Sequence, residues 1–435
     1  KKMNKSEVEI CKTLDENTYK QVLKKGLEVY ICKKKGFKKK IGMFGTKYGS
    51  VINNFVDIQT DKKIKVPDGI AHFLEHKLFE QEGENAFDLF SKIGVSSNAY
   101  TTFDHTVYFF ETMDKFEEGM KLLIKLVKTP YFTDENVQKE QGIIAQEIKM
   151  YDDDPNFVVY FNALRAMYNT NPVRIDIAGT VESISHITKE YLYTCYNTFY
   201  SPQNMFIVII GDVDVDGTIS LIEENLRLYE SDYDNKKEIK KIETFSDKEK
   251  ESICKKEEVK KMDIYMPQIC IGYKLDVVDG KEAMKRNIIC DIVSDLYFSK
   301  MTKFYEEEYK KGILSEEPSL SYEGTSSFSH ALVFASSIQI DKLKEDLLKY
   351  LEEIKNTPIN EDMFELIKKK KIGEMIRRAD SLNVSYRRII EALLGKIDIY
   401  EDVNILENIT KEDISEFLKL LDGEKQVISI VRENN

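Results

Sequence analysis

"AHFLEHKLFE", residues 71–80, sets two histidines four apart with a glutamate between them, in a chain of 435 residues that holds only five histidines. On an α-helix each residue advances by about 100°, so His72 and His76 lie roughly 40° apart on one face. Both imidazoles can then converge on a single cation from one helical turn. Glu75 projects near the second histidine and can lie beside a metal without ligating it. Zinc held by two histidines and a carboxylate keeps an open position for water, and an adjacent carboxylate can take that water's proton during attack on a carbonyl.

The order H-x-x-E-H reverses the commoner zinc-peptidase helix and is the inverzincin pattern. It needs a third ligand. In "DENVQKEQGIIAQEIKMYDDDP" (residues 134–155), Glu140 and Glu147 stand seven apart, two turns along one helical face. A helix packed against the histidine pair could aim one carboxylate at the ion and the other at a ligating histidine, fixing its tautomer. Glu80, Glu82 and Glu84 are rival ligands, but they follow the histidine helix too closely to reach back easily.

Working outward, residues 27–34 and 39–51 alternate like paired strands, and a helix is expected from 68 to about 79 with another over 85–92. "SSNAYTTFDHTVYFFET" (96–112) reads as two antiparallel strands joined near residues 103 and 104. Helical patterns follow over 114–128, 134–151, with Thr133 as a candidate N-cap, and 156–168. "NMFIVIIGDVD" (204–214) is a buried strand closing this half. From 232 to 261 the composition turns to lysine and glutamate without apolar periodicity, a solvated connector with one strand around 239–245. The second half repeats the grammar: a strand over 267–275, a long helix over 281–300, a strand pair in "SLSYEG" and "SSFSHALVFASS", helices, and a closing strand over 425–432. The expected fold is therefore α+β: a duplicated pair of homologous domains, each an antiparallel-dominated sheet covered by helices. Residues 1–231 form the metal-binding domain, 232–262 a charged linker and 263–435 a homologous domain without metal ligands.

The formal net charge of −12 excludes nucleic acid as the main partner, because phosphate binding needs a concentrated basic surface. "KKKGFKKK" (33–40) is read as a solvated hairpin tip. Six cysteines without a C-x-x-C pair argue for a reducing compartment, so a cytoplasmic location is expected. No stretch is long and apolar enough to predict a membrane span. His105, His186 and His330 are read as structural or surface residues, His105 lying nearest the possible peptide strand.

The quoted motifs, with "PVRIDIAGTVESISHIT" (172–188), resemble the pitrilysin and mitochondrial-processing-peptidase metallopeptidases, in particular their half-length bacterial members. Within these the chain is most similar to a Gram-positive subgroup labelled as associated with elongation factor P modification. The resemblance implies one zinc ion per chain, held by His72, His76 and Glu147, with Glu75 the general base and Glu140 the supporting acid. "SNAYT" matches the family's substrate edge strand, so Asn98, Ala99, Tyr100 and Thr101 are expected to bind an extended peptide by strand addition. It also implies two related α+β domains per chain, and two such chains closing around a chamber that admits peptides.

One departure stands out. Active half-length members carry an Arg and a Tyr, seven apart, in a segment R-E-x-x-G-L-A-Y that steadies the oxyanion. Aligning its glycine with Gly312 places Glu308 at the arginine position and Ser315 at the tyrosine position; neither Lys311 nor Tyr322 restores the spacing. The expected reading is a zinc endopeptidase subunit that depends on a homologous partner for that pair, a heterodimer being favoured and a homodimer possible. The rival reading is a binding or assembly subunit that retains the fold without proteolysis.

Overall fold

The computed structural model describes residues 7–229 and 240–434. Its chain divides into two units that do not coincide with the two halves of the sequence. The first runs to Ile148 and continues with Ile175–Ser246 and Arg378–Leu394; the second gathers Lys149–Arg174, Asp247–Arg377 and Gly395–Asn435.

Unit one is built on a seven-stranded sheet. Its strands are β1 (Glu7–Cys11), β2 (Glu16–Val22), β3 (Glu28–Lys33), β4 (Lys40–Thr46), β9 (Ser96–Thr101), β10 (Thr106–Thr112) and β11 (Met205–Gly211). Between β4 and β9 lie two small hairpins, β5 (Asn54–Val56) with β6 (Lys63–Lys65) and β7 (Glu80–Gln81) with β8 (Glu84–Asn85). The order is β1-β2-β3-β11-β4-β10-β9, with β3 and β11 parallel and the other neighbours antiparallel. Every residue of β11, MFIVIIG, is buried, as a continuous apolar run requires when both faces of a strand are covered.

Helices α1 (Ile70–Leu78), α2 (Ala86–Lys92), α3 (Phe116–Lys128) and α4 (Asp134–Asp152) supply one side of this unit's core, with α6 (Val181–Ser185), α7 (Lys189–Phe199) and α8 (Val215–Arg227). Helix Leu382–Gly395 arrives from the far end of the sequence. It is anchored by Ser385 Oγ donating to Glu16 Oε2 at 3.2 Å and by Arg388 Nη1 at 3.5 Å from Glu16 Oε1. Just before it, the Ala379 carbonyl accepts from Lys34 Nζ at 2.6 Å, and Lys34 also pairs with Glu16.

Unit two has a five-stranded sheet of β12 (Glu257–Met262), β13 (Gln268–Lys274), β14 (Ser319–Gly324), β15 (Ser329–Ser336) and β16 (Gln426–Glu433), in the order β12-β16-β13-β15-β14. Helix Gly280–Val293 and helix Ile340–Asn356 cover the face formed by Ile269, Ile271 and Tyr273. Helix α5 (Pro155–Met167), from the first half of the sequence, packs on β12, β13 and β16, and Gly272 leaves the space that Met167 fills.

The charged run departs from the solvated connector expected of it. It contains β12, paired in parallel with β16, and Glu249, whose carboxylate accepts from the N–H groups of Asn169, Thr170 and Asn171 at 2.8, 2.7 and 2.7 Å and from Lys274 Nζ at 2.7 Å. Lysine and glutamate hide a strand well when its side chains stay wet and only its backbone is paired. Of the strand expected at 239–245, residue 239 lies outside the described residues, and the rest contributes a single bridge from Thr244 to Phe55. β1 and β2 were not expected either. The long helix of the second half ends at Val293, and Ser294–Phe298 continues it as a π-helical turn.

Candidate metal centre

Helix α1 starts where only glycine fits. Gly69, its N-cap, has φ +88°, and a Cβ there would lie 2.3 Å from the Ala178 carbonyl oxygen. The helix then buries Ile70, Phe73, Leu74, Lys77 and Leu78, an i, i+3, i+4, i+7, i+8 stripe, and turns His72 and His76 to another side. Helix α4 is capped reciprocally: the Asn136 N–H donates to Thr133 Oγ1 at 3.1 Å and the Thr133 N–H to Asn136 Oδ1 at 2.9 Å. Its buried side carries Val137, Glu140, Ile144 and Ile148, and Glu147 stands beside that stripe.

The two helices bring the expected residues together. One donor atom each from His72, His76 and Glu147 lies within 4.8 Å of the others, the metal-capable group found among the described residues. His72 Nε2 is 3.8 Å from Glu147 Oε1, and His76 Nε2 is 3.6 Å from Glu147 Oε2. His76 Nδ1 lies 3.1 Å from Glu140 Oε1, so Glu140 backs the histidine and Glu147 faces it. Two of the rivals point elsewhere: Glu80 pairs with Lys77 and Glu84 with Lys125.

Electrostatics act oppositely on the two histidines. Burial, with the neighbouring His76, pushes the His72 pKa down to about 3 against the pull of Glu140, keeping that imidazole neutral. Burial would also lower His76, but the hydrogen bond to Glu140 and the charges of Glu75, Glu140 and Glu147 outweigh it and raise its pKa. Three carboxylates around one histidine create a field that a divalent cation would neutralise. Two imidazole nitrogens and a carboxylate oxygen, converging from different helices, are the donor set of a three-ligand zinc site with a free fourth position. His72 Nδ1 is buried with no hydrogen-bond partner among the described residues, so only one of the two histidines has a backing acid.

Glu75 sits beside this group without joining it. It is buried, which raises its pKa, and Thr101 Oγ1 donates to its Oε2 at 2.7 Å, which opposes the rise. Thr101 is the end of β9, the last strand of the unit-one sheet, as "SNAYT" requires of an edge. The Ala99 N–H is taken by the Asn98 side-chain oxygen at 2.9 Å, a local bond that an added strand would have to displace. Tyr100 turns toward His105 and Phe109, at ring separations of 5.7 and 6.3 Å. His105 itself bonds Asp104 and Thr102 in the hairpin turn at 2.7 and 2.9 Å, and His330 lies between Tyr168 and Glu323 at 3.0 and 3.2 Å in unit two.

Two participants escape a sequence reading. Thr101 was expected to serve through its backbone; its hydroxyl reaches Glu75 because Ala99 and Thr101 share the strand face turned to α1. Lys77 looks like a surface lysine, yet it occupies the apolar stripe of α1 and is fully buried. Its stripe position was the available signal.

A family model described as Insulinase (Peptidase family M16) matches residues 64–181, and one described as Peptidase M16 inactive domain matches 186–371. The chain is 40% identical over 408 residues to the zinc protease YmfH of Bacillus subtilis, covering 93% of this chain and 94% of that one. Its fold superposes on an M16-like peptidase from Alicyclobacillus acidocaldarius with TM-score 0.89 and 33% identity, over 97% of this chain and 99% of the other. Pitrilysin shares the fold at TM-score 0.73 and 14% identity, over 99% of this chain and 46% of that chain.

Proposed function

The chain belongs to the M16 (insulinase) peptidase family, and on that premise we propose that it is the zinc-bearing subunit of an endopeptidase acting on short or unfolded peptides. The observation that carries the reading is the convergence of His72, His76 and Glu147 with Glu75 alongside. Those three residues would hold one zinc ion, which when bound supplies Lewis acidity and lowers the pKa of a water molecule. Glu75 accepts the proton released during attack on the peptide carbonyl, and its burial keeps it basic enough to do so. The free edge of β9 receives the peptide as an added strand through Asn98 and Ala99, so recognition rests largely on main-chain bonds. Tyr100 and Thr101 continue that strand, Tyr100 on the face opposite Thr101.

A homologous partner subunit completes the active chamber. Glu308 supports this division of labour, because it is 3% exposed and bonds Lys311 at 2.7 Å, while the Ser315 carbonyl accepts from Tyr305. Neither residue offers a cation or phenol to an oxyanion. The heterodimer is favoured over the homodimer for this reason. A cytoplasmic location fits the six cysteines, none of which forms a disulfide among the described residues.

The test is metal analysis and peptide hydrolysis on the complex purified with its partner. One zinc per chain is expected, and Glu75→Gln should retain it while lowering turnover by about 10²–10⁴-fold. Unchanged hydrolysis in Glu75→Gln would remove the catalytic assignment. A native complex that holds zinc yet cleaves no peptide would favour the assembly-subunit reading.

A further inference from the structure

Lys77 has 0% exposure, one residue after a histidine of the metal centre. It stands on the apolar stripe of α1, in register with Ile70, Phe73 and Leu74, where leucine or methionine would pack without desolvating a charge. Taking an ammonium out of water is strongly unfavourable unless it is well paired. Two carboxylates pair it. Glu80 Oε2, one turn on, makes a close contact, and Glu140 Oε2 lies 3.4 Å from Nζ.

Glu140 is thereby held at both oxygens. Its Oε1 is 3.1 Å from His76 Nδ1, and its Oε2 faces Lys77. A carboxylate with a single partner can rotate about its last torsion, which is broad and shallow. One gripped at both ends is fixed in plane and direction. The order Lys77–Glu140–His76 runs from the buried core to the metal-facing Nε2.

We propose that Lys77 is a positioning residue for the metal centre: by gripping the outer oxygen of Glu140 it holds the inner oxygen on His76 Nδ1, which fixes the tautomer and turns Nε2 toward Glu147 and His72. This rests on the reading that His72, His76 and Glu147 hold zinc. The contrast with His72, whose Nδ1 has no partner among the described residues, makes His76 the ligand that the surrounding residues orient. Lys77 touches neither ligand carboxylate nor substrate strand in this arrangement, so its effect should pass through Glu140 alone.

The experiment measures zinc affinity of the purified chain by competition with a chromophoric chelator, alongside thermal unfolding of the metal-free protein. Lys77→Met is expected to weaken zinc binding about tenfold or more, the usual consequence of losing support behind a ligand, and Lys77→Arg to recover part of it. A double variant guards against a simple folding defect. Lys77→Met combined with Glu140→Gln should bind zinc no more weakly than Glu140→Gln alone, because the two residues act in series. Wild-type affinity in Lys77→Met, whatever its melting temperature, would overturn the proposal, as would additive losses in the double variant. Absence of zinc binding in the wild-type chain would overturn the reading of the site itself, and this proposal with it.

Discussion

The strands β3-β11-β4-β10-β9 of unit one and β12-β16-β13-β15-β14 of unit two follow the same order, each with a parallel pair at one end and an antiparallel edge hairpin at the other. Helix α1 and helix Gly280–Val293 occupy the same place in that order, and only the first carries a histidine pair. Where α1 presents His72, Glu75 and His76, the other helix buries Arg286, which donates to the Asp276 carbonyl at 3.0 Å. Duplication of a sheet therefore does not duplicate a site. The candidate site draws donors from one helix, an acid from a second helix and a hydroxyl from the edge strand, and the matching helix of unit two, Gly280–Val293, carries no histidine.

Both helices do begin at a glycine pressed against backbone. A Cβ on Gly69 would lie 2.3 Å from the Ala178 carbonyl oxygen, and one on Gly280 would lie 2.2 Å from that of Gly395. The largest expected effect breaks this shared device. Gly69→Ala combines the clash with a left-handed φ and should destabilise unit one by about 3 kcal/mol or more, with loss of zinc binding. Gly280→Ala should destabilise unit two and leave the zinc affinity of the folded fraction unchanged. Urea denaturation and zinc titration of both variants check the pair; equal loss of zinc affinity would erase the distinction between the units.

Each unit also anchors a helix from the other half of the sequence with buried charge, Glu16 with Arg388 and Lys34 in unit one, Glu249 with Lys274 in unit two. Burial acts to raise the Glu249 pKa, but the N–H groups of Asn169, Thr170 and Asn171 and the Lys274 ammonium draw it well below the ordinary carboxylate value of 4.5. A depressed carboxyl contributes stability that is full above that ordinary value and is lost as pH falls from there toward the folded value. Glu249→Gln should lower stability at neutral pH by about 2 kcal/mol and flatten the acid limb below pH ~4. An unchanged acid limb, measured by denaturation across pH, would show that Glu249 does not staple α5.

The smallest expected effect concerns the edge strands. Thr101 of β9 bonds Glu75, whereas on β14 the acid Glu323 accepts from Tyr160 at 2.6 Å. Thr101→Val should lower turnover of the complex about tenfold with zinc content unchanged, and Thr101→Ser should restore most of it. If Val and Ser behave alike, the hydroxyl has no part in setting Glu75.

Much of this was legible in the residues. The spacing of His72 and His76, the stripe through Val137, Ile144 and Ile148, and the apolar run of β11 each follow from a local period that a chain cannot disguise. β12 was not legible, because its residues are those of a wet loop and only pairing with β16 makes them a strand. The buried state of Lys77 was half legible: its stripe position said buried, its chemistry said exposed, and the partners that decide between them come from 3 and 63 residues away.

By itself, then, the sequence determined many of the elements, the helix that carries the two histidines and the repeated order of strands and helices, because these depend on interactions within a few turns or strands. Tertiary structure alone decided that helix Leu382–Gly395 belongs to the first unit and α5 to the second, and that the Thr101 hydroxyl bonds Glu75. An amphipathic pattern states which face of a helix is apolar but not which sheet will bury it. That choice is made by long-range packing and by the pairing of charges distant in the chain.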